Sequence, residues 1–322
     1  MKKIYTVILS IFIFMAGFAQ IQPVKDNGAL KVAGTKLVNQ NWQPVVLRGM
    51  SLGWHNWWPR FYNAEVVSWL KNDWGCTIIR AAMGVEPDHG YIQEPAWSKE
   101  KIKAVIDAAI KEGIYVIVDW HSHNIRLEEA KQFFIEIATE YGKQPNIIYE
   151  IFNEPAEQSW ADVKAYSLEL LKTIRAIDPD NVILIGSPHW DQDVQVVADD
   201  PIKGYNNIMY TLHYYAASHK QNLRDRADYA LKKNIPIFIS ESAGMEHTGD
   251  GPLNETEWKT WIAWAEKNQI SWLTWSVTDK NETCSVLLPS ASSTGNWRDE
   301  DLQPSGIMAR HLILLNSKRI KR

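Results

Sequence analysis

The stretch YEIFNEPAE, residues 149–157, runs apolar and aromatic and then stops at Asn153-Glu154-Pro155. A second apolar run, PIFISESAG from residue 236, delivers Glu241. Two carboxylates brought face to face across a cleft can break a glycosidic bond: one protonates the leaving oxygen, while the other stays ionised and attacks the anomeric carbon. A gap of roughly 5–5.5 Å means retention through a covalent glycosyl-enzyme, and a wider one means inversion. Proline after Glu154 removes a backbone donor and fixes the chain as it leaves a sheet, so the carboxylate projects from a rigid strand end. A different chemistry is written in HSH at 121–123, because two histidines flanking one residue on a strand can share a metal ion with carboxylates from across the site.

Such groups need a scaffold. Strand-like runs lie at residues 45–50, 77–83, 115–121, 146–154, 182–187, 208–215, 236–241 and 270–277. They are rich in Ile, Val, Trp and Tyr and are continuously apolar, as strands buried on both faces are. Helices alternate with them. Ile102, Val105, Ile106, Ala109 and Ile110 share one face of KEKIKAVIDAAIKEG, which stops at Gly113. Leu127, Ala130, Phe134, Ile137, Ala138 and Tyr141 form a second face, ended by Gly142. Val163, Tyr166, Leu170, Leu171, Ile174 and Ile177 form a third, closed by Pro179. This alternation predicts a single-domain α/β chain, a (β/α)8 TIM barrel with a short hairpin in KLVNQNWQPVVLRGM ahead of it. An open doubly wound sheet would want a glycine-rich phosphate turn after an early strand, and none is present.

Barrel sites are built at the carboxyl ends of the strands. Read in order, those ends supply Arg80, His121 with His123, Asn153 with Glu154, His189 with Trp190, His213 with Tyr215, Glu241, and Trp275 followed by Lys280. Glu154 and Glu241 close the fourth and seventh strands, which face each other across the mouth. Glu150, deeper in its strand, reads as a core carboxylate paired inside the barrel, with Arg80 as one partner. The segment TDKNETCSVLLPSASSTGNWRDEDLQPSG lies over the mouth.

In barrel order, LRGMS, IIRAAM, YVIVDWH, YEIFNEP, LHYYA, ISESAG and SWLTWSVTDKNE resemble glycoside hydrolase family 5, and within it the bacterial endo-β-1,4-glucanase (cellulase) subfamily. The likeness extends over nearly the whole mature chain. It implies a retaining hydrolase of β-glucan that needs neither cofactor nor metal. It also implies a division of labour, with Glu154 as general acid/base and Glu241 as nucleophile. Asn153 would bond the sugar 2-hydroxyl, and Arg80 and Tyr215 would sit against Glu241. His213 would lie beside Glu154, His121 would hold a sugar hydroxyl, and Trp275 would form the floor. Trp190 is a platform candidate on the leaving-group side, and Lys280 and Glu282 match positions that bind sugar hydroxyls. Two departures stand out. Gly53 occupies the place of a histidine common after RGMS, with His55 displaced by two positions, and Gly84 replaces a tyrosine after RAAM. His55 is the candidate substitute, and Trp54, Trp57 and Trp58 could rebuild the non-reducing side. Mannan, xyloglucan and mixed-linkage glucan remain alternative substrates. A non-catalytic glycan-binding barrel remains the alternative role, although it would not need both glutamates.

The 322 residues carry a formal net charge of -4 with basic and acidic residues dispersed, which argues against a nucleic-acid partner. Sixteen tryptophans suit a core and flat ligands such as sugars. Those on helices, Trp69, Trp258, Trp261 and Trp264, read as core. His89, His219, His247 and His311 read as surface or packing residues. Lys2 and Lys3, an apolar stretch to Phe18, and Gly17-Phe18-Ala19 form a signal peptide cut near Ala19. That gives residues 1–19 as leader and 20–322 as catalytic domain, secreted or periplasmic, with no membrane span afterwards. A monomer is expected. Cys76 and Cys284 fall at opposite ends of the barrel and are expected to be free thiols.

Overall fold

The computed structural model describes residues 21–317, so the expected leader lies outside the described residues. The apolar runs become eight parallel strands, Arg48–Leu52, Ile78–Gly84, Tyr115–His121, Ile147–Glu150, Val182–Ile185, Ile208–Tyr215, Ile237–Ala243 and Trp272–Val277. They close into a barrel in chain order, the eighth pairing back onto the first. Every strand residue is buried except the half-buried Tyr215. A continuously apolar strand has this consequence: one face packs inside the barrel and the other against helices.

Helices cover the outer face. Pro95–Glu112 buries Ile102, Val105, Ile106 and Ala109 and ends at Gly113, whose left-handed φ of 70° lets its N–H bond Ala109 and Ile110 carbonyls. Trp160–Arg175 starts at Ser159, whose hydroxyl accepts from the Asp162 amide, and buries Val163, Tyr166, Leu170, Leu171 and Ile174. Ile177 lies beyond that helix and is exposed, because the apolar period continues past the point where the helix stops. Each buried Leu or Ile stabilises the shell by about 1.5–3 kcal/mol. Trp258 and Trp261 are fully buried, and Trp69 and Trp264 are partly buried against the same core. Cys76 and Cys284 are both buried free thiols.

The largest shifts from the sequence reading are at the start of the first strand and the end of the fourth. The first strand begins at Arg48 rather than at residue 45, because Val45 bonds the hairpin carbonyl of Leu37 and Leu47 bonds the Ser271 hydroxyl. The hairpin itself pairs Lys31–Ala33 with Lys36–Val38, and only the bridge Val38↔Pro44 falls later in the segment. The fourth strand ends at Glu150, four residues before Glu154. Regular pairing stops there, yet the Asn153 and Glu154 amides still bond the carbonyls of Trp120 and Ser122. The tail of that run is an irregular extension of the barrel wall, held by the third strand.

Gly49 shows how closely the strands approach. A Cβ placed there would lie 1.8 Å from the Ile78 carbonyl oxygen, a backbone atom that cannot rotate away. We predict that Gly49→Ala destabilises the fold by at least about 1–3 kcal/mol, read as a lower urea midpoint with an unchanged slope. A midpoint equal to that of the parent would contradict this packing.

Candidate active site

Side chains alternate along a strand, so the inward column can be followed two residues at a time. Near the amino end it is apolar: Ile78, Ile117, Ile148, Phe238 and Leu273 belong to one buried cluster. Two residues further on it reads Arg80, Asp119, Glu150, Ser240 and Trp275. The interior changes from hydrocarbon to charge within one layer. Arg80, fully buried, is the cation of that layer.

Its guanidinium donates from Nε to Glu150 at 2.6 Å, from Nη1 to Glu241 at 2.9 Å and from Nη2 to Asn153 Oδ1 at 2.6 Å, with Asp119 2.9 Å from Nη2. Burial works against the charge, but Asp119, Glu150 and Glu241 outweigh it and hold Arg80 more firmly protonated than an ordinary arginine. Both roles foreseen for Arg80, pairing Glu150 and contacting Glu241, are therefore combined in one side chain.

Glu241 enters this layer through an irregularity. Pairing between the sixth and seventh strands advances from Thr211↔Phe238 to His213↔Glu241, two residues against three. Such a bulge re-aims side chains and turns Glu241 inward after Ser240. Tyr215 Oη donates to Glu241 Oε1 at 2.7 Å, so each carboxylate oxygen has a donor. Burial and the facing charge of Glu154 raise its proton affinity, while His213, Arg80 and Tyr215 pull it down. Asn153 has its carbonyl oxygen fixed by Arg80, and its buried Nδ2 has no partner among the described residues. A donor is thereby held ready beside the two carboxylates.

Glu154 is framed by two imidazoles, with His213 Nδ1 2.9 Å from Oε1 and His123 Nε2 3.2 Å from Oε2. Burial disfavours its charge, but these contacts prevail and lower its pKa to about 2. His213 moves the other way. Burial opposes the imidazolium, yet Asp191, Glu150, Glu154 and Glu241 hold it well above the usual histidine range. The proton of the pair rests on His213, with Nδ1–H facing Glu154 and Nε2–H facing Ser240 Oγ at 2.9 Å.

One atom from each of Glu154, His213 and Glu241 falls within a set spanning no more than 4.8 Å. The nearest oxygens of the two carboxylates therefore lie within 4.8 Å of each other, which fits the ~5–5.5 Å of a retaining pair better than the ~6.5–9.5 Å that leaves room for an attacking water. Among the described residues no cluster of potential metal ligands contains both His121 and His123. Their rings are 6.3 Å apart, and each bonds its own carboxylate, Asp119 and Glu154 respectively. His121 Nδ1 faces Asp119 at 2.6 Å, and burial followed by the Arg80 charge keeps the ring neutral, leaving Nε2 as an acceptor. The same ring lies parallel to Trp275 at 5.2 Å. On the other side Glu154, Trp190, Gln192, His213, Tyr215, His219 and His247 line a cleft with about 660 Å³ of free space.

A family model described as Cellulase (glycosyl hydrolase family 5) matches residues 38–281. The chain belongs to glycosyl hydrolase family 5. It is 42% identical over 302 residues to an endoglucanase of Clostridium saccharobutylicum, covering 92% of this chain and 67% of that protein. Endoglucanase Z of Dickeya dadantii is 42% identical over 282 residues, covering 86% of this chain and 64% of the relative. Against Endoglucanase A of Evansella cellulosilytica the chain spans 56% of the relative's length. Among solved structures, one from Cytophaga hutchinsonii superposes with a TM-score of 0.91 at 43% identity, covering 93% of this chain and 99% of that one. The catalytic domain of Thermobifida fusca endoglucanase Cel5A superposes at 0.86 with 33% identity, covering 91% and 99%.

Two departures from the family 5 pattern have steric explanations. A Cβ on Gly53 would meet Thr278 Cγ2 at 2.1 Å, and one on Gly84 would meet Asn56 Oδ1 at 2.3 Å and Trp54 at 2.8 Å. Thr278, just past the eighth strand, crowds Gly53, and Asn56 and Trp54 of the loop after the first strand crowd Gly84. His55 does not open onto the cleft. It is fully buried, accepts from the Gly84 amide through Nδ1 at 3.0 Å, and meets Ser98 Oγ through Nε2 at 2.9 Å. Both nitrogens brace the loop and neither is left for a sugar. Burial, then the Lys101 charge, lower its pKa to about 3, so the ring is neutral. Trp54 is the residue that reaches the site, 4.2 Å edge-on to His121 and 4.9 Å from the exposed Trp57.

Lys280 and Glu282 pair with each other at 2.8 Å on the loop after the eighth strand, and Glu282 also contacts Cys284. His219 and His247, which the sequence placed among surface or packing residues, line the cleft together with Gln192. His219 accepts the Tyr215 amide through Nδ1 at 3.0 Å, a local turn four residues past a strand-end tyrosine that a closer reading of LHYYAASH could have flagged.

Removing Arg80 would leave several buried carboxylates without their cation. Arg80→Met is expected to destabilise the protein by about 3–5 kcal/mol, measured by denaturant unfolding at neutral pH. A loss under 1 kcal/mol would show that the carboxylates do not depend on it.

Proposed function

We propose that this chain is a secreted endo-β-1,4-glucanase that hydrolyses internal bonds of cellulose and related β-glucans by retaining double displacement. The observation that carries the proposal is the short gap between Glu154 and Glu241, each with a different set of donors. Its curated relatives named above are endoglucanases, and Thermobifida fusca Cel5A has been solved with cellotetraose. Residues 1–19 would direct export and 20–322 would form the catalytic domain, working as a monomer.

In the first step Glu241, aligned by Arg80 and Tyr215, attacks the anomeric carbon. The bond to the leaving oxygen breaks, and that oxygen takes a proton from Glu154. The proton originates on His213 Nδ1, 2.9 Å from Glu154 Oε1, and crosses as the glycosidic oxygen draws it onward. The product is an ester between Glu241 and the sugar. In the second step Glu154, ionised again, takes a proton from water, the water oxygen attacks the anomeric carbon, and Glu241 leaves. Two displacements restore the β configuration. Asn153 Nδ2 would donate to the sugar 2-hydroxyl, a bond worth most in the transition state. His121 Nε2 would accept a sugar hydroxyl above Trp275, the exposed Trp190 would stack under the leaving sugar, and Lys280 and Glu282 would meet hydroxyls at the rim. Trp54 and Trp57 offer aromatic faces for the non-reducing side.

The two glutamates are separable by leaving group. Glu154→Gln should lose about 10²–10⁴ in rate on unactivated glucan yet still form the ester rapidly from an aryl cellobioside with an activated leaving group. Glu241→Gln should lose both reactions. Identical behaviour of the two variants on the activated substrate would overturn the assignment of roles.

A further inference from the structure

The turn after the fifth strand holds three consecutive non-glycine residues in the left-handed region, His189 at φ 54°, Trp190 at 53° and Asp191 at 58°. Such residues are costly to place and persist only where their surroundings over-determine them. Here the Trp190 amide bonds the Pro155 carbonyl at 3.0 Å, immediately after Glu154, and the Asp191 amide bonds Ser187 at 3.2 Å. The turn sends consecutive side chains in opposite senses. Trp190 is exposed and lines the cleft, whereas Asp191 is completely buried.

The reaction as written has no part for Asp191, yet a buried carboxylate is expensive unless a cation answers it. Its Oδ1 accepts the Ser187 amide at 2.5 Å. Its Oδ2 makes no hydrogen bond and lies 3.3 Å from His213 Nε2. Burial, with Glu154 and Glu150 nearby, raises the proton affinity of Asp191, and the His213 imidazolium and the Ser187 amide oppose that rise and favour the carboxylate. Other charged groups surround this imidazole. Glu150 from the fourth strand is 3.9 Å away, Glu154 takes the Nδ1 contact, and Glu241 faces it from the seventh strand. Arg80 from the second strand and Asp119 from the third share the charged layer with Glu150, His121 contacts Asp119, and His123 sits on the far side of Glu154. Glu150, Glu241 and Asp119 share Arg80, and Glu154 also has His123. Among the described residues Asp191 has His213 as its sole cationic contact.

We propose that Asp191 is a positioning residue that acts through His213 on Glu154: its carboxylate keeps the shared proton on the His213–Glu154 pair and so sets the pH at which the enzyme loses its acid. A negative charge beside a site raises the proton affinity of the whole site, wherever within the pair the proton rests. Removing it lets the proton leave at lower pH. This rests on the reading of Glu154 as acid/base.

The test compares kcat/KM against pH for the full chain and for Asp191→Asn, which keeps the shape and removes the charge. With an unactivated cello-oligosaccharide, the alkaline limb should move to lower pH by about one unit or more. With an activated aryl cellobioside, whose glycosylation needs no acid, the limb should stay. Asp191→Ser should shift in the same direction, and a ¹⁵N titration of the His213 ring should show the imidazolium losing its proton at lower pH in either variant, active or not. An unmoved limb and an unmoved ring titration in Asp191→Asn would overturn the proposal, as would an equal loss at every pH on both substrates. Failure of the Glu154 assignment shows up elsewhere, as loss of the activated substrate in Glu154→Gln, while the ring titration still reports on Asp191 alone.

Discussion

One buried guanidinium organises this site. Arg80 sits where the barrel interior turns from apolar to charged, and its contacts tie together four of the eight strands through Asp119, Glu150 and Glu241, with Asn153 just past the fourth. A lone carboxylate at that depth would take up a proton, and several would repel one another. Around a fixed cation they become an ordered frame. Glu241 can then be both deeply buried and aimed, because its second oxygen is held by Tyr215 at the rim.

Glu154 lives under different rules. It touches no guanidinium and is framed by two histidines, so its proton is mobile and lies one hydrogen bond away. The two glutamates therefore have opposite surroundings, one anchored to a permanent cation and the other to a titratable one. Separation of roles through environment, with the same residue type, is how paired carboxylates run acid and nucleophile chemistry together. The turn carrying Trp190 and Asp191 joins the two sides of this arrangement, since a single kink supplies both an exposed aromatic face in the cleft and a carboxylate behind His213.

Much of this was legible in the chain. Continuous apolar runs with polar ends marked eight strands and their mouth, and the depth of Glu150 in its strand marked it as a core carboxylate with Arg80 for a partner. What escaped depends on contacts between distant segments. The bulge that turns Glu241 inward is a property of pairing with the sixth strand and leaves no mark in ISESAG alone. The early end of the fourth strand reflects capture of residues 153 and 154 by carbonyls of the third. His55 looked like a displaced ligand because its type was right, yet its surroundings consume both nitrogens. Gly53 and Gly84 read as lost contacts, whereas Gly53 makes room for Thr278 and Gly84 for Asn56 and Trp54.

The central claim is that Glu154 and Glu241 stand close enough for a covalent intermediate and too close for a water between them and the sugar. Proton NMR of the first-formed product, recorded within seconds to minutes of mixing enzyme with a cello-oligosaccharide, reads this directly from the anomeric signal. The account predicts that the β anomer appears first and then mutarotates. Initial appearance of the α anomer would mean direct attack by water and would contradict it.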